Sequence, residues 1–167
     1  DYPQDIEKSK SQWVIPSTLA SRRCNDQEEA GQYWMLWADI DHAPPSVSEL
    51  AKTVEGIVEG CRFEVYTTKS ATEDNQKSRI LIPLGKKLSP QQWLLCQEIL
   101  NDQLELSLIN PDRSSEKLAQ LLFLPNRGEH YESQSIRVGP YFDPLEAFSS
   151  QLVIMQEAIK AKELAIA

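Results

Sequence analysis

An aromatic and apolar segment, YWMLWADID, occupies residues 33–41, between Gly31 and two consecutive prolines. A short apolar run that is rich in aromatic residues and is flanked by chain-breaking residues predicts a buried strand. A strand of this kind requires a sheet with other elements packed on it. Because the segment ends in Asp39 and Asp41, two carboxylates are expected at the end of this buried strand.

Two helices are predicted from their starting residues. Ser46 and Glu49 have the spacing of a capping box, and apolar residues then recur at helical spacing until Gly60, which is typical of a helix end. Ser89 precedes a proline at the first helical position and Gln92 at the third, which is the pattern of a second helix start.

The remaining elements complete the predicted fold. Alternating or apolar patterns predict strands at 61–68 and 78–84, a short helix at 114–120, strands at 121–124 and 131–138, and a final helix at 144–165. The second of these strands is expected to stop near Pro83. The order predicts an α+β fold with a ferredoxin-like (RRM-like) split β-α-β-β-α-β core, in which helices pack on one face of a mainly antiparallel sheet.

The 167 residues are expected to form a single domain, in which residues 1–12 are a polar tail. Apolar runs are too short to span a membrane, and the three cysteines form no CxxC pair, so a cytoplasmic protein is expected. The net charge of −8 argues against a general nucleic-acid-coating surface. It leaves open an enzyme that binds nucleic acid in a local basic groove.

Asp39 and Asp41 are two residues apart, so a strand directs both carboxylates to the same face. Adjacent carboxylates repel each other unless a cation or a proton lies between them, and their hard oxygen atoms suit Mg²⁺ or Mn²⁺. A third acid could complete a site for two metal ions that promotes phosphoryl transfer. The alternative is a pair of solvated acids at a strand end.

Asp112 follows the chain-breaking pair Asn110-Pro111 and precedes the predicted short helix. An aspartate in this position is typically a helix N-cap. The alternative is that Asp112 provides the third carboxylate of the metal site.

The loop between the two central strands contains the sequence TTKS, residues 67–70, and is followed by Lys77 and Arg79. Hydroxyl groups and basic side chains between two strands could hold a triphosphate, since Arg makes bidentate phosphate contacts and Lys acts as a point charge. The alternative is a solvated hairpin loop.

Residues 33–126 together resemble the catalytic core of archaeo-eukaryotic-type primases, most closely that of phage- and plasmid-encoded primase-polymerases. In that family an apolar strand ends in DxD, as WADID does here. A strand then leads to a Thr/Ser-rich turn and to a strand of the form R-x-x-x-P-L, as in EVYTTKS and SRILIPL. A helix start like SPQQW and a third acid about a dozen residues before FLP complete the likeness.

The resemblance implies a DNA-dependent nucleotidyltransferase that takes part in phage- or plasmid-type replication and uses Mg²⁺ or Mn²⁺. It implies that Asp39, Asp41 and Asp112 bind the metal ions, and that Arg79 and the turn residues 68–70 (Thr68, Lys69 and Ser70) hold the incoming nucleoside triphosphate. A single-stranded DNA template and a helicase domain or replication protein are the implied partners. Bound DNA is expected near Lys69, Lys77, Arg79, Lys86 and Lys87.

Two residues depart from the family pattern. Ala71 stands where the family has a histidine that contacts the triphosphate, and Gln120 stands where the family often has an arginine. These changes remove nucleotide-binding groups while the three acids remain. A weakened enzyme, an enzyme that uses Lys69 instead, and a non-catalytic module that binds DNA or a partner all fit this pattern. A metal-dependent nuclease is a further alternative.

Overall fold

The computed structural model describes residues 2–167 and combines helices with antiparallel sheets. The elements, in chain order, are β1 (Trp13–Val14), α1 (Cys24–Ala30), β2 (Tyr33–Ile40), α2 (Val47–Val58), β3 (Phe63–Thr67), β4 (Ser78–Leu88), α3 (Pro90–Leu106), β5 (Leu122–Phe123), β6 (Ser133–Ile136), α4 (Pro144–Ala147) and α5 (Ser149–Ile166). Single 3₁₀ turns lie at Lys8–Lys10 and Arg113–Glu116. Over the described residues, every helix is too short or too polar to cross a membrane.

The main sheet has the strand order β2-β4-β3-β6, and all of its neighbouring strands are antiparallel. Helix α2 packs against β3 and α3 packs against β2, which confirms the predicted α+β class with helices on an antiparallel sheet. The strand predicted at 121–124 was expected to complete this sheet. It forms β5 instead, which pairs with β1 in a separate two-stranded sheet, so the complete ferredoxin-like arrangement is not confirmed.

Both predicted helix starts are present. The Ser46 hydroxyl accepts a hydrogen bond from the Glu49 backbone N–H, and Ser89 and Gln92 form a reciprocal capping box. These caps satisfy backbone donors that the first turn of a helix leaves unpaired, which is why a local pattern is sufficient to place them.

Three predicted boundaries are wrong. Strand β4 was predicted to stop near Pro83 but continues to Leu88. A proline is tolerated there because Pro83 lies beyond the part of β4 that pairs with β3 and next to a register shift in its pairing with β2. The helix predicted at 114–120 is only a 3₁₀ turn. The helix predicted at 144–165 is interrupted at Phe148, where α4 ends and α5 begins.

The outer edge of β2 is closed by side chains and by loop backbone rather than by another strand of the sheet. Gln97 of α3 accepts a hydrogen bond from the Trp37 backbone N–H (2.9 Å) and donates to the Trp37 carbonyl (2.9 Å). Trp93 donates its indole N–H to the Met35 carbonyl (2.9 Å), and the Asp112 backbone N–H donates to the Asp39 carbonyl (2.8 Å). This edge is therefore satisfied along most of its length, as buried backbone groups require.

The polar segment at the N-terminus lies along the chain that follows β5. The Gln4 backbone N–H donates to the Pro125 carbonyl (2.9 Å), and the Asn126 side chain forms two hydrogen bonds with the backbone of Ile6. Residues 4–12, which the sequence predicts to be part of a polar tail, thereby reach the region where β3, β4 and β5 meet.

Candidate active site

Three carboxylates converge at one end of β2. Asp39 is on the strand, Asp41 follows it directly, and Asp112 follows α3, yet one oxygen from each lies within 4.8 Å of the others. The backbone hydrogen bond from Asp112 to the Asp39 carbonyl fixes this arrangement. The main chain thus brings Asp112 beside a strand that lies about seventy residues earlier in the sequence.

Asp112 is also a helix cap. Its Oδ1 accepts a hydrogen bond from the Ser114 backbone N–H (2.9 Å) at the start of the 3₁₀ turn. A carboxylate has two oxygens with several acceptor positions, so capping leaves Asp112 free to bind a cation as well. The two alternatives for Asp112 are therefore compatible.

Asp39 is the least solvated of the three acids, since only 15% of its side chain is exposed. Its Oδ1 is buried and accepts no hydrogen bond from the described residues, and the Arg79 Nε is 3.6 Å away, which is too long for one. Burial, together with the nearby charges of Asp41 and Asp112, raises the pKa of Asp39 to about 6. The positive charges of Arg79 and Lys8 oppose this rise.

The donor set of this acid cluster fits a divalent cation. Three hard oxygen donors with a buried, unpartnered oxygen among them match what Mg²⁺ and Mn²⁺ require. A cation would also relieve the mutual repulsion that contributes to the raised pKa of Asp39.

The four residues expected to hold a triphosphate line one small pocket. Thr68, Lys69 and Ser70 reach it from the loop after β3, and Arg79 reaches it from β4. Arg79 pairs in register with Asp39 of β2, so the pocket and the acid cluster are adjacent on one face of the sheet. The structure therefore brings together the seven predicted site residues, namely the three acids of the cluster and the four residues of the pocket.

Strand β5 holds Arg79 in place. The Phe123 carbonyl accepts hydrogen bonds from Arg79 Nη1 (3.3 Å) and from the Tyr66 hydroxyl (2.6 Å). The Arg79 guanidinium also lies 5.9 Å from the centre of the Phe123 ring. Burial raises the pKa of Tyr66, so its hydroxyl stays neutral and continues to donate at ordinary pH.

Sequence reasoning missed Lys8. This lysine lines the same pocket, and its ammonium lies 5.4 Å from the centre of the Phe123 ring. Lys69 is less available to bind a phosphate than the sequence indicates. Its ammonium already donates to the Arg127 carbonyl (2.5 Å) and lies 3.4 Å from an Asp5 oxygen. Only tertiary contacts across more than one hundred residues identify Lys8, so no local signal could have found it.

Ala71 is buried, and its backbone N–H closes the turn by donating to the Thr68 carbonyl (3.1 Å). A larger side chain at this position would have to displace its neighbours. His42 lies on the outer side of the acid cluster, in a cleft that it shares with Asp41, Asn110, Pro111 and Asp112.

Replacing Gly128 is expected to disturb the pocket. A Cβ at this position would lie 2.0 Å from the Lys69 carbonyl oxygen, so Gly128→Ala must displace the backbone of the loop. We expect this variant to lose about 1–3 kcal/mol of unfolding free energy, as measured by urea denaturation. Gly56→Ala is the comparison, because a Cβ there meets no atom within 4 Å, and a Gly-to-Ala change inside α2 should stabilise the protein by up to about 1 kcal/mol. A Gly128→Ala variant as stable as the wild type would contradict the close contact.

Comparisons with protein-family models, with curated proteins and with solved structures find no match to this chain.

Proposed function

We propose that the chain is a metal-dependent nucleotidyltransferase that acts on a single-stranded DNA template and nucleoside triphosphates, as primases and primase-polymerases do. One observation carries this proposal. An acid cluster with a buried oxygen that accepts no hydrogen bond adjoins a pocket lined by Thr68, Lys69, Ser70 and Arg79. Carboxylates for cations beside basic and hydroxyl groups for phosphates are the combination that nucleotidyl transfer requires.

In this proposal Asp39, Asp41 and Asp112 hold Mg²⁺ or Mn²⁺. When bound, these ions would activate the attacking hydroxyl and neutralise negative charge on the phosphates. Asp39 is the central ligand, since its buried Oδ1 accepts no hydrogen bond from residues 2–167 and has only the ion pair with Arg79. The short link from the Asp112 backbone to Asp39 supports a fixed ligand geometry, which a two-metal reaction needs.

Arg79 has two roles in this proposal. It offsets the charge of Asp39, and it directs a guanidinium toward the phosphates of an incoming nucleotide. The Phe123 carbonyl and ring hold its side chain, so it would not have to be ordered when the substrate binds. Thr68 and Ser70 supply hydroxyl donors, and Lys69 and Lys8 supply positive charge at the rim.

The proposal extends to the architecture and the cellular setting. The order β2-β4-β3 places β4 between the two strands that α2 connects, and this supports a ferredoxin-like origin for this part of the sheet. A cytoplasmic location and a helicase domain or replication protein as partner belong to the same proposal.

A non-catalytic module that binds DNA is the second candidate. The observation that favours it is the engagement of Lys69, whose ammonium already contacts the Arg127 carbonyl and Asp5. Together with the buried Ala71, this leaves fewer free groups for a triphosphate.

Calorimetric titration of the protein with Mn²⁺, then with a nucleoside triphosphate in the presence of Mn²⁺, tests the proposal. It is paired with extension of primed and unprimed single strands. We expect metal-dependent nucleotide binding and a labelled product. Both should be lost, the product by at least about a hundredfold, in the double variant Asp39→Asn/Asp41→Asn.

The matched control is Glu28→Gln/Glu29→Gln, which makes the same charge change on the exposed surface of α1. This control should bind and extend as the wild type does. DNA binding without metal or nucleotide binding would favour the non-catalytic module, and release of nucleotides from labelled DNA would favour a nuclease. Product formation by the Asp39→Asn/Asp41→Asn variant would overturn the proposal.

A further inference from the structure

The face of the sheet that carries Asp39 and Arg79 continues into a second, open groove. Its lining is mainly apolar and includes Met35, Leu81 and Pro83. Met35 of β2 lies opposite Pro83 of β4. Leu81 precedes Pro83 by two residues, so it lies on the same face of the sheet and nearer to the acid cluster.

The rim of this groove carries a cation stacked on an aromatic ring. The Arg62 guanidinium lies 4.4 Å from the centre of the Tyr141 ring and donates to the Tyr141 hydroxyl (3.2 Å) and to the Gly139 carbonyl (2.7 Å). Tyr141 nevertheless remains 48% exposed as a residue. An exposed ring backed by a guanidinium provides a surface on which a nucleic acid base can stack.

The backbone fixes this platform to the sheet. The Arg62 backbone N–H donates to the Pro140 carbonyl (3.0 Å), and Leu84 of β4 forms a bridge with Phe142. The Tyr141 Cβ also lies close to Gly85, where an added Cβ would meet it at 3.3 Å. A ligand would therefore meet a ring that is already positioned, which lowers the entropic cost of binding.

A second cation is available beside the platform. The Arg137 side chain is 73% exposed and has one ionic partner among the described residues, the Glu64 carboxylate at 3.0 Å. The groove therefore carries two arginines against one acid, within a chain whose net charge is −8. Its local charge complements a phosphate backbone, although the charge of the whole chain does not.

The groove and the acid cluster lie on the same face of β2. Met35 and Asp39 are four residues apart on the strand, which is about 13 Å. Trp37 lies between them on this face and is only 2% exposed, so a bound strand would have to pass around the covered part of the sheet to reach Asp39.

We propose that this groove binds single-stranded nucleic acid, through base stacking on Tyr141 and phosphate contacts from Arg137. The identification of that strand as the template rests on the proposed function, but the binding itself does not. None of the five basic residues near which the sequence predicts bound DNA lines this groove; these are Lys69, Lys77, Arg79, Lys86 and Lys87.

The test is fluorescence anisotropy of a labelled single-stranded oligonucleotide, titrated with the protein in EDTA and without nucleotide. We expect Arg137→Ala to weaken binding about fivefold and to reduce the dependence of log K on log salt by about one. Tyr141→Leu should weaken binding about tenfold, because a base loses its stacking partner. Glu64→Gln should strengthen binding about threefold, since it removes the only acid of the groove.

The matched control is Arg22→Ala, which removes an exposed arginine elsewhere and should leave the affinity unchanged. Thermal melting of each variant separates lost binding from lost folding. Equal affinities of Arg137→Ala, Tyr141→Leu and the wild type would overturn the proposal, as would a wild type that binds no strand or prefers duplex. Because the assay contains neither metal nor nucleotide, its failure would leave the proposed catalytic function untouched.

Discussion

Asp39→Asn is expected to stabilise the metal-free protein at pH 7 by about 2–3 kcal/mol, while it abolishes metal-dependent nucleotide incorporation. The stabilisation follows from the electrostatics of the acid cluster. Burial and two neighbouring acids raise the pKa of Asp39 from 3.8 to about 6, so the charged form is disfavoured in the folded state. Asparagine has nearly the same shape as the protonated acid and carries no charge.

The pH dependence of stability gives the sign of this effect. Because the folded pKa of Asp39 is raised, its contribution to stability is fully present below pH 3.8 and is lost as the pH rises through about 6. Urea unfolding in EDTA between pH 4 and 7.5 should therefore show a gap between Asp39→Asn and the wild type that opens over this window. Above about pH 6, this difference in unfolding free energy should stay constant.

The control for this prediction is Asp74→Asn, which removes an exposed carboxylate from the loop between β3 and β4. It should leave the wild-type pH profile unchanged. A less stable Asp39→Asn would mean that the ion pair with Arg79 stabilises the fold on balance. Asp39 would then be a structural residue, and the metal-site interpretation would lose its main support.

Gln97→Ala is expected to destabilise the protein by about 3–5 kcal/mol. Its side chain is fully buried and satisfies the backbone N–H and carbonyl of Trp37 as well as the Ser115 carbonyl (2.9 Å). Each buried backbone group left without a partner costs about 1–3 kcal/mol. The measurement is the midpoint and slope of urea denaturation at neutral pH.

Gln91→Ala provides the comparison, since Gln91 is exposed in the first turn of the same helix. It should change the unfolding free energy by less than about 0.5 kcal/mol. A loss below about 1 kcal/mol in Gln97→Ala would mean that water replaces the amide and that the edge of β2 is open to solvent.

Local signals in the sequence predicted the elements that depend on local chemistry. Ser46 and Ser89 begin helices because their hydroxyl groups cap the first turn, and this requires nothing from the rest of the chain. The position of Asp39 at the end of a buried strand followed from the apolar run before it. These predictions succeed because the interactions on which they depend are made between residues close together in the sequence.

The predictions that failed or were missed depend on contacts between distant parts of the chain. Strand β5 has only two residues, and its pairing with β1 could not be read from either segment. Lys8 reaches the pocket because Gln4 and Ile6 bind the chain after β5. The roles that the sequence assigns to the acids and to Arg79 remain predictions, although the structure brings these residues together.

The closed edge of β2 also determines how this protein can associate with itself. A strand from another chain could not add to β2 at Trp37 without displacing Gln97, because both backbone groups of Trp37 are already paired. Within the main sheet, the other edge strand that could pair with a second copy is β6. That edge is short and polar, with Ser133, Gln134 and Ser135 exposed, so it offers little to an aggregating partner.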